Sequence, residues 1–216
     1  MKVTLSALAH SVRGAYGALG ITVSTGHAQQ LIAAALGHKT LASLQSAGDH
    51  EALPETKSIV VDLDLLAERA RALDLADQQA VDVVWSALED HLPGEVYGSV
   101  TGLVESHQEF VELETWNDGD VGSQMAMTNG TGPGETYMPL EFDESEFDLD
   151  GDLELQIFGH VNLDQDPDKV FYGTHIDVEA TLTVERFGRF LFGSSKLEVT
   201  SASLRWMNED PEDPQP

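Results

Sequence analysis

The sequence predicts an α+β fold, in which an N-terminal helical part of about four to five helices is followed by an antiparallel β-sheet, sandwich or barrel. Apolar residues recur at helical spacing as far as about residue 92. After Pro93-Gly94 they alternate with polar residues, which is typical of strands. We therefore divide the chain into a mildly basic helical module (1–48), a linker and two helices (49–92), an acidic antiparallel β domain (93–207) and a disordered acidic tail (208–216).

The helical part has recognisable start and stop signals. A first helix is predicted over residues 3–16, a second over 27–36 and a third over 40–47. Ser24 can cap the second helix, and Gly37 can end it because glycine tolerates the left-handed conformation. Asp62 can cap a fourth helix, and a fifth follows it as far as residue 92.

Short alternating segments fill the second half of the chain. In the final segment the apolar positions change phase near residues 200–201, which predicts a bulge there. The glycine-rich stretch 129–134 is predicted as a flexible loop, since no lysine and no helix follow it as in a phosphate-binding loop. The predicted strands are 96–104, 109–116, 122–127, 138–149, 152–161, 175–185, 190–192 and 196–207.

The composition is strongly acidic. The 216 residues include 38 Asp and Glu against 11 Lys and Arg, a net charge of −27, and no cysteine. Such a charge repels nucleic acid and anionic lipid, and the lack of cysteine excludes disulfides, thiolate metal sites and a cysteine nucleophile. No apolar run approaches the roughly 20 residues that a membrane crossing needs. Residues 1–13 lack the hydrophobic region of a secretion signal, so a cytoplasmic location is the default expectation.

The charge is unevenly distributed along the chain. Residues 1–48 carry three basic residues and no acidic one, whereas residues 93–216 carry five basic residues against 27 acidic ones. Opposite potentials attract, so we expect the basic module to dock on the acidic body or on another copy of it. The predicted second and third helices have the outline of a helix-turn-helix, but Lys39 and Gln45 are too few polar contacts for DNA binding.

The basic module carries a family resemblance. The stretch from His27 to Ala33 reads His-x-x-x-Leu-Ile-Ala, and Gly37-His38-Lys39 followed by Leu41 completes the pattern. Over about residues 24–48 the chain resembles the short N-terminal helical module of some bacterial glyoxalase-superfamily-related and uncharacterised proteins. That resemblance implies a helical module and a bacterial protein, without a catalytic residue.

An acidic comb is the sharpest pattern in the β half. Because strand side chains alternate between two sides, residues 144–157 place apolar side chains on one face and carboxylates on the other. A three-residue turn at 150–152 keeps these faces together across a hairpin. We expect a basic protein surface, or the basic module of another copy, to bind this acidic face. The partner-binding residues are predicted to be Glu144, Glu146, Asp148, Asp152 and Glu154.

The acidic comb also suits roles that involve no basic partner surface. It can be a solvated sheet face, a mimic of the DNA phosphate array that blocks a DNA-binding protein, or part of a salt-adapted structural protein. The motif Glu146-x-Asp148-x-Asp150-Gly151 matches the opening of a calcium-binding loop, but Ile157 stands where the closing glutamate belongs.

A second candidate site is a metal centre in the β domain. His160 and His175 can meet across neighbouring strands, close to Asp164 and Asp166, and these side chains together could hold a divalent metal. A metal-dependent enzyme is therefore the alternative function. Because no nucleophile motif, cofactor loop or complete metal set stands out, the sequence favours a non-enzymatic binding or regulatory protein that can form homo-oligomers.

Overall fold

A computed structural model describes residues 3–144, 147, 151–165, 168 and 175–205, with residues 131–133 and 165 described by their backbone. The predicted disordered tail (208–216) and the predicted turn at residue 150 lie outside the described residues. The described helices are α1 (Leu5–Ala18), α2 (Thr25–Ala35), α3 (Leu41–Ala47), α4 (Asp49–Ala52), α5 (Leu63–Ala72), α6 (Asp77–His91), α7 (Val100–Glu105), α8 (Gln108–Asn117) and α9 (Gly119–Met125).

One mixed sheet accompanies these helices, and the predicted α+β class is confirmed. Its strand order is β2-β1-β6-β5-β4-β3. Pairing is mostly antiparallel, but β1 and β2 are parallel, with Ile59 opposite Val96. The described strands are β1 (Ser58–Val60), β2 (Glu95–Tyr97), β3 (Gly130–Tyr137), β4 (Leu153–Gln165), β5 (His175–Gly188) and β6 (Leu191–Leu204).

Two compact units divide the chain. The first comprises Met1–Leu103, Phe147–Asp152 and Val184–Ser194, and the second comprises Val104–Glu146, Leu153–Thr183 and Ser195–Pro216. Both units are assembled from separate stretches of sequence, and β5 and β6 contribute residues to each.

The first unit has a helical core, and two of its helices begin at the caps that the sequence predicts. Ser24 Oγ accepts a hydrogen bond from His27 N at 3.1 Å, and Asp62 Oδ1 accepts one from Leu65 N at 2.9 Å. These caps satisfy backbone donors that a helix leaves without an internal partner. Residues from α1, α2, α5 and α6 form one apolar cluster, whose fully buried members include Leu8, Val12, Tyr16, Leu31, Leu66, Val84 and Leu88.

The predicted linker at the start of 49–92 is wrong in detail. It contains the short helix α4 and the strand β1, which also pairs in antiparallel fashion with β6 through Ser58 and Phe192. The strand is a three-residue segment without polar alternation, Ser58-Ile59-Val60, so its length and pattern carry no clear strand signal.

The prediction of strands over 100–127 is also wrong, because this region forms α7, α8 and α9. In α8, Val111 and Thr115 are fully buried four residues apart, whereas the intervening Leu113 is 55% exposed. An exposed leucine makes a helical stripe look like alternation. Asp118 then caps α9, since its Oδ1 accepts hydrogen bonds from Asp120 N and Val121 N.

The glycine-rich stretch predicted as a loop forms the edge strand β3 instead. A Cβ added at Gly134 would lie 2.7 Å from Asn162 O on β4, so only glycine permits this close approach of the two backbones. Register shifts on both sides of Pro133 show that the pairing is irregular, which suits a proline at a sheet edge.

In the second unit, buried apolar residues alternate with more exposed residues along the strands of the sheet. In β5, Ile176, Val178, Ala180 and Leu182 are buried. In β6, Thr200 and Ser201 are consecutive exposed residues. The phase change predicted at this point is therefore present, and the bulge predicted with it stays a prediction.

Candidate functional site

The described part of the acidic comb follows the predicted alternation. In β4, Leu153 and Ile157 are buried, and Glu154 and Gln156 between them are exposed. Apolar and polar residues thus occupy opposite faces of this strand. The odd-numbered Phe147 of the first unit is half-buried and stacks on Phe190, with 6.2 Å between ring centroids.

The five predicted partner-binding residues do not form one described row. Glu144 is exposed and lies outside any strand, and Glu154 is exposed on β4; both belong to the second unit. Asp152 belongs to the first unit, where its Oδ1 accepts a hydrogen bond from Arg186 N at 2.9 Å. Glu146 and Asp148 lie outside the described residues.

Side-chain contacts align β4 with β5 in the second unit. Gln156 Nε2 donates to Thr181 Oγ1 at 2.9 Å, and His175 Nδ1 lies 2.7 Å from Asn162 Oδ1. As numbers rise along one strand they fall along the other, so the strands are antiparallel and both contacts fit one register. In that register Phe158 lies opposite Glu179.

Phe158 is the least expected residue on this face. Its side chain is 65% exposed, the largest fraction among the exposed large apolar residues of the described chain. Glu154, on the same side of β4, and Glu179, opposite on β5, are both exposed. Within the described residues neither carboxylate has an ion-pair partner. We call Glu154, Phe158 and Glu179 the Phe158 surface.

An aromatic ladder crosses the strands of the second unit nearby. The Tyr137 ring lies 5.3 Å from the His160 ring, and His160 stacks on His175 with 4.4 Å between centroids. His175 Nε2 is 3.2 Å from Asp177 Oδ1, an ion-pair distance at which the two atoms do not meet the geometry of a hydrogen bond. Asp177 in turn accepts a 2.8 Å hydrogen bond from Arg205 Nη2.

These contacts shift the pKa values of His175 and Asp177. Burial lowers the pKa of His175, and the positive charges of Arg205 and His160 lower it further, against the opposing pull of Asp177. For Asp177, burial alone would raise the pKa, but the hydrogen bonds and the charge of Arg205 outweigh it and lower the pKa.

We expect acidification to destabilise the second unit in the pH range where histidine titrates. Because the pKa of His175 is lowered on folding, its contribution is complete above the unfolded value of about 6.5 and is lost as the pH falls from there through the folded value. Urea unfolding between about pH 7 and 5 measures this loss. His175→Gln should flatten the pH dependence, and His27→Gln, at an exposed position in α2, should leave it unchanged. An unaltered slope in His175→Gln would contradict the assignment.

The residues predicted to bind metal are partly brought together. His160 and His175 meet across β4 and β5 as predicted, but both ring nitrogens of His175 already face Asn162 and Asp177. Asp164 is exposed, and Asp166 lies outside the described residues. In the described ranges no group of three or more His, Asp or Glu side chains is placed to hold a metal ion.

A different polar cluster lies inside the first unit. His38 Nε2 is 2.8 Å from Asp49 Oδ2, and His38 Nδ1 is 3.2 Å from Ser43 Oγ. His38 is 2% exposed and Asp49 is 5% exposed, whereas Ser43 lies at the surface of α3. One tautomer satisfies both contacts: Nε2–H donates to Asp49, and the bare Nδ1 accepts the hydroxyl proton of Ser43.

The backbone on both sides holds this cluster in place. Gly37 ends α2 with φ +77°, a left-handed conformation that turns the chain so that His38 points inward. Asp49 Oδ2 also accepts a hydrogen bond from Arg189 N at 3.0 Å. A Cβ added at Gly188 would lie 2.6 Å from the Asp49 carboxylate, so glycine is required against it.

Sequence reasoning finds His38 as part of the family resemblance but misses its link to Ser43 and Asp49. The sequence places Asp49 in a predicted linker, and acidic residues are rarely buried unless they are paired. The available signal is the run Gly37-His38, since a glycine helix stop places the next residue against the core.

Comparison of the chain with family models, with curated proteins and with solved structures finds no match. The resemblance of residues 24–48 to a bacterial helical module therefore stays a prediction. In the described part of the chain, no helix combines the length and apolar character that a membrane crossing requires.

Proposed function

We propose that the chain is a binding protein whose second unit docks a basic protein partner on the Phe158 surface. The single observation that carries this proposal is a phenylalanine with 65% exposure on a strand face that it shares with exposed carboxylates. Aromatic side chains, including phenylalanine, are enriched in the buried cores of protein interfaces, which supports this surface as a docking site.

The ring and the carboxylates favour the same kind of partner. An Arg or Lys side chain can lie over an aromatic face, and such a contact contributes about 0.5–1 kcal/mol at an exposed site. Glu154 and Glu179 provide acceptors for the same cations, and the guanidinium of Arg fits both the ring and a carboxylate. The partner is therefore expected to present arginine within a basic surface.

The net charge of −27 supports the proposal at longer range. A field of one sign speeds the approach of an oppositely charged protein and repels nucleic acid. Of the predicted comb, Glu154 belongs to this surface, and Glu144 of the same unit remains a candidate for a wider footprint. The basic module of another copy, which carries three cations and no acidic residue in residues 1–48, is the competing partner.

Binding of a labelled arginine-rich peptide across a salt series tests the proposal. The variant Glu154→Gln/Phe158→Ala/Glu179→Gln should weaken binding about tenfold, which corresponds to about 1.4 kcal/mol. The matched control is Glu109→Gln/Leu113→Ala/Glu114→Gln on α8, where all three side chains are also exposed in the second unit. It makes the same change in charge and a similar change in apolar area.

Equal weakening in the two triple variants would overturn the proposal, because the peptide would then respond only to the overall negative charge of the protein. A lysine version of the peptide should bind more weakly than the arginine version. Size-exclusion chromatography distinguishes the competing partner: self-association that the Phe158 variant abolishes would assign the surface to a second copy.

A further inference from the structure

We propose that Ser43 is an activated nucleophile and that the first unit cleaves small carboxylic esters through Ser43, His38 and Asp49. The inference rests on a different unit from the docking surface and does not depend on it. It starts from one geometric fact: a surface hydroxyl, a buried imidazole and a buried carboxylate are joined in that order by contacts of 3.2 and 2.8 Å.

This order of exposure is the one that nucleophilic catalysis requires. The nucleophile must reach a substrate, and Ser43 is exposed. The base must be within hydrogen-bond reach of the nucleophile and oriented by a third group, and His38 meets both conditions. Here Nδ1 faces the serine and Nε2 faces the carboxylate, and the imidazole can transfer a proton through either nitrogen.

The positions of all three side chains are fixed by their surroundings. Ser43 N donates to Thr40 Oγ1 at 3.0 Å, which anchors the start of α3. Asp49 is held by Arg189 N, and the left-handed Gly37 places His38. A hydroxyl, a base and an orienting carboxylate that are held in this way lose little freedom when a substrate binds.

A cavity lies at the start of α3, the helix that carries Ser43, and Ser43 itself is not among its lining residues. This cavity of about 320 Å³ is lined by the three residues that directly precede Ser43, together with one residue of α2 and one of α5. Its volume is at the lower end of small-molecule sites, so only a short acyl chain attached to Ser43 would fit if it extended into this cavity. The lining residues are Gln30, Thr40, Leu41, Ala42 and Arg69.

The reaction proceeds in two balanced steps. Ser43 Oγ forms a bond to the ester carbonyl carbon while its proton passes to His38 Nδ1, and the bond from carbon to the leaving alcohol oxygen breaks as that oxygen takes up the proton. Water then attacks the acyl-serine, His38 accepts and returns a proton, and the carboxylic acid leaves with Ser43 restored. Asp49 does not change protonation; it stabilises the positive charge on His38 between the steps.

A fluorophosphonate probe tests the nucleophile directly, because its phosphorus forms a bond to an activated serine and releases fluoride. We expect intact-mass and peptide mapping to place one adduct on Ser43 of the folded chain. Ser43→Ala should abolish the adduct, while Ser46→Ala, on the same exposed helix, should retain it. Both substitutions are at the surface, so the comparison does not depend on a change in folding.

The base and the ester reaction are tested next. His38→Gln should slow labelling at least 100-fold, since general-base assistance contributes about 10²–10⁴-fold. Hydrolysis of p-nitrophenyl acetate should be lost with Ser43→Ala and retained with Ser46→Ala. An adduct on another serine, no adduct in the folded chain, or equal hydrolysis by the Ser43 and Ser46 variants would overturn the proposal.

Discussion

Replacing Asp49 with alanine is expected to lower the free energy of unfolding by about 3 kcal/mol. The substitution removes the acceptor shared by His38 Nε2 and Arg189 N and leaves both donors without it. A buried donor that loses its partner, as His38 Nε2 does, costs about 1–3 kcal/mol, and the partly buried Arg189 N adds a smaller loss. Urea unfolding of the purified chain measures the change.

Two further variants identify the cause of that loss. Asp49→Asn keeps an oxygen that can accept both hydrogen bonds but loses the negative charge that strengthens them, so it should cost about 1 kcal/mol. Glu68→Ala, at an exposed position of α5, should change stability by no more than about 0.5 kcal/mol. If Asp49→Ala were as mild as Glu68→Ala, the buried pair would not hold the first unit together.

Phe192→Ala is expected to lower the free energy of unfolding by about 3–5 kcal/mol. Phe192 is fully buried in the first unit, and its backbone pairs with Ser58 of β1. Truncation removes the transfer free energy of the ring and leaves a cavity that the surrounding side chains only partly fill. Calorimetry or urea unfolding measures this loss.

Phe158→Ala is the matched comparison. Its ring is 65% exposed in the second unit, so its removal should change stability by no more than about 0.5 kcal/mol. A large destabilisation by Phe158→Ala would mean that the ring supports the fold, and a reduced affinity of that variant would then have no bearing on docking.

Local signals predict the parts of the fold that depend on neighbouring residues. The stripe of α1, the caps Ser24 and Asp62 and the stop at Gly37 are all decided within a few positions of the chain, and all are found. Short elements are missed where the local signal is weak: β1 has three residues, and α8 has an exposed leucine on its surface.

The candidate sites are harder to predict for a physical reason. In the sequence Phe158 resembles any other apolar residue, because its exposure is set by the facing strand and not by its own neighbours. Asp49 contacts Arg189, which is 140 residues away in sequence. Periodicity relates residues that are close in sequence, so it cannot reveal a contact between residues so far apart. Only the pattern around Gly37-His38 points toward this one.

The strand pairing of β1 also has a consequence for how the protein is made. Ser58 pairs with Phe192, although most of the first unit precedes residue 104. On the ribosome, the early helices emerge and can pack long before that partner is synthesised. The edge of β1 that faces β6 therefore stays unpaired until residues 184–194 have left the exit tunnel, and the first unit is completed only after that later segment has been translated.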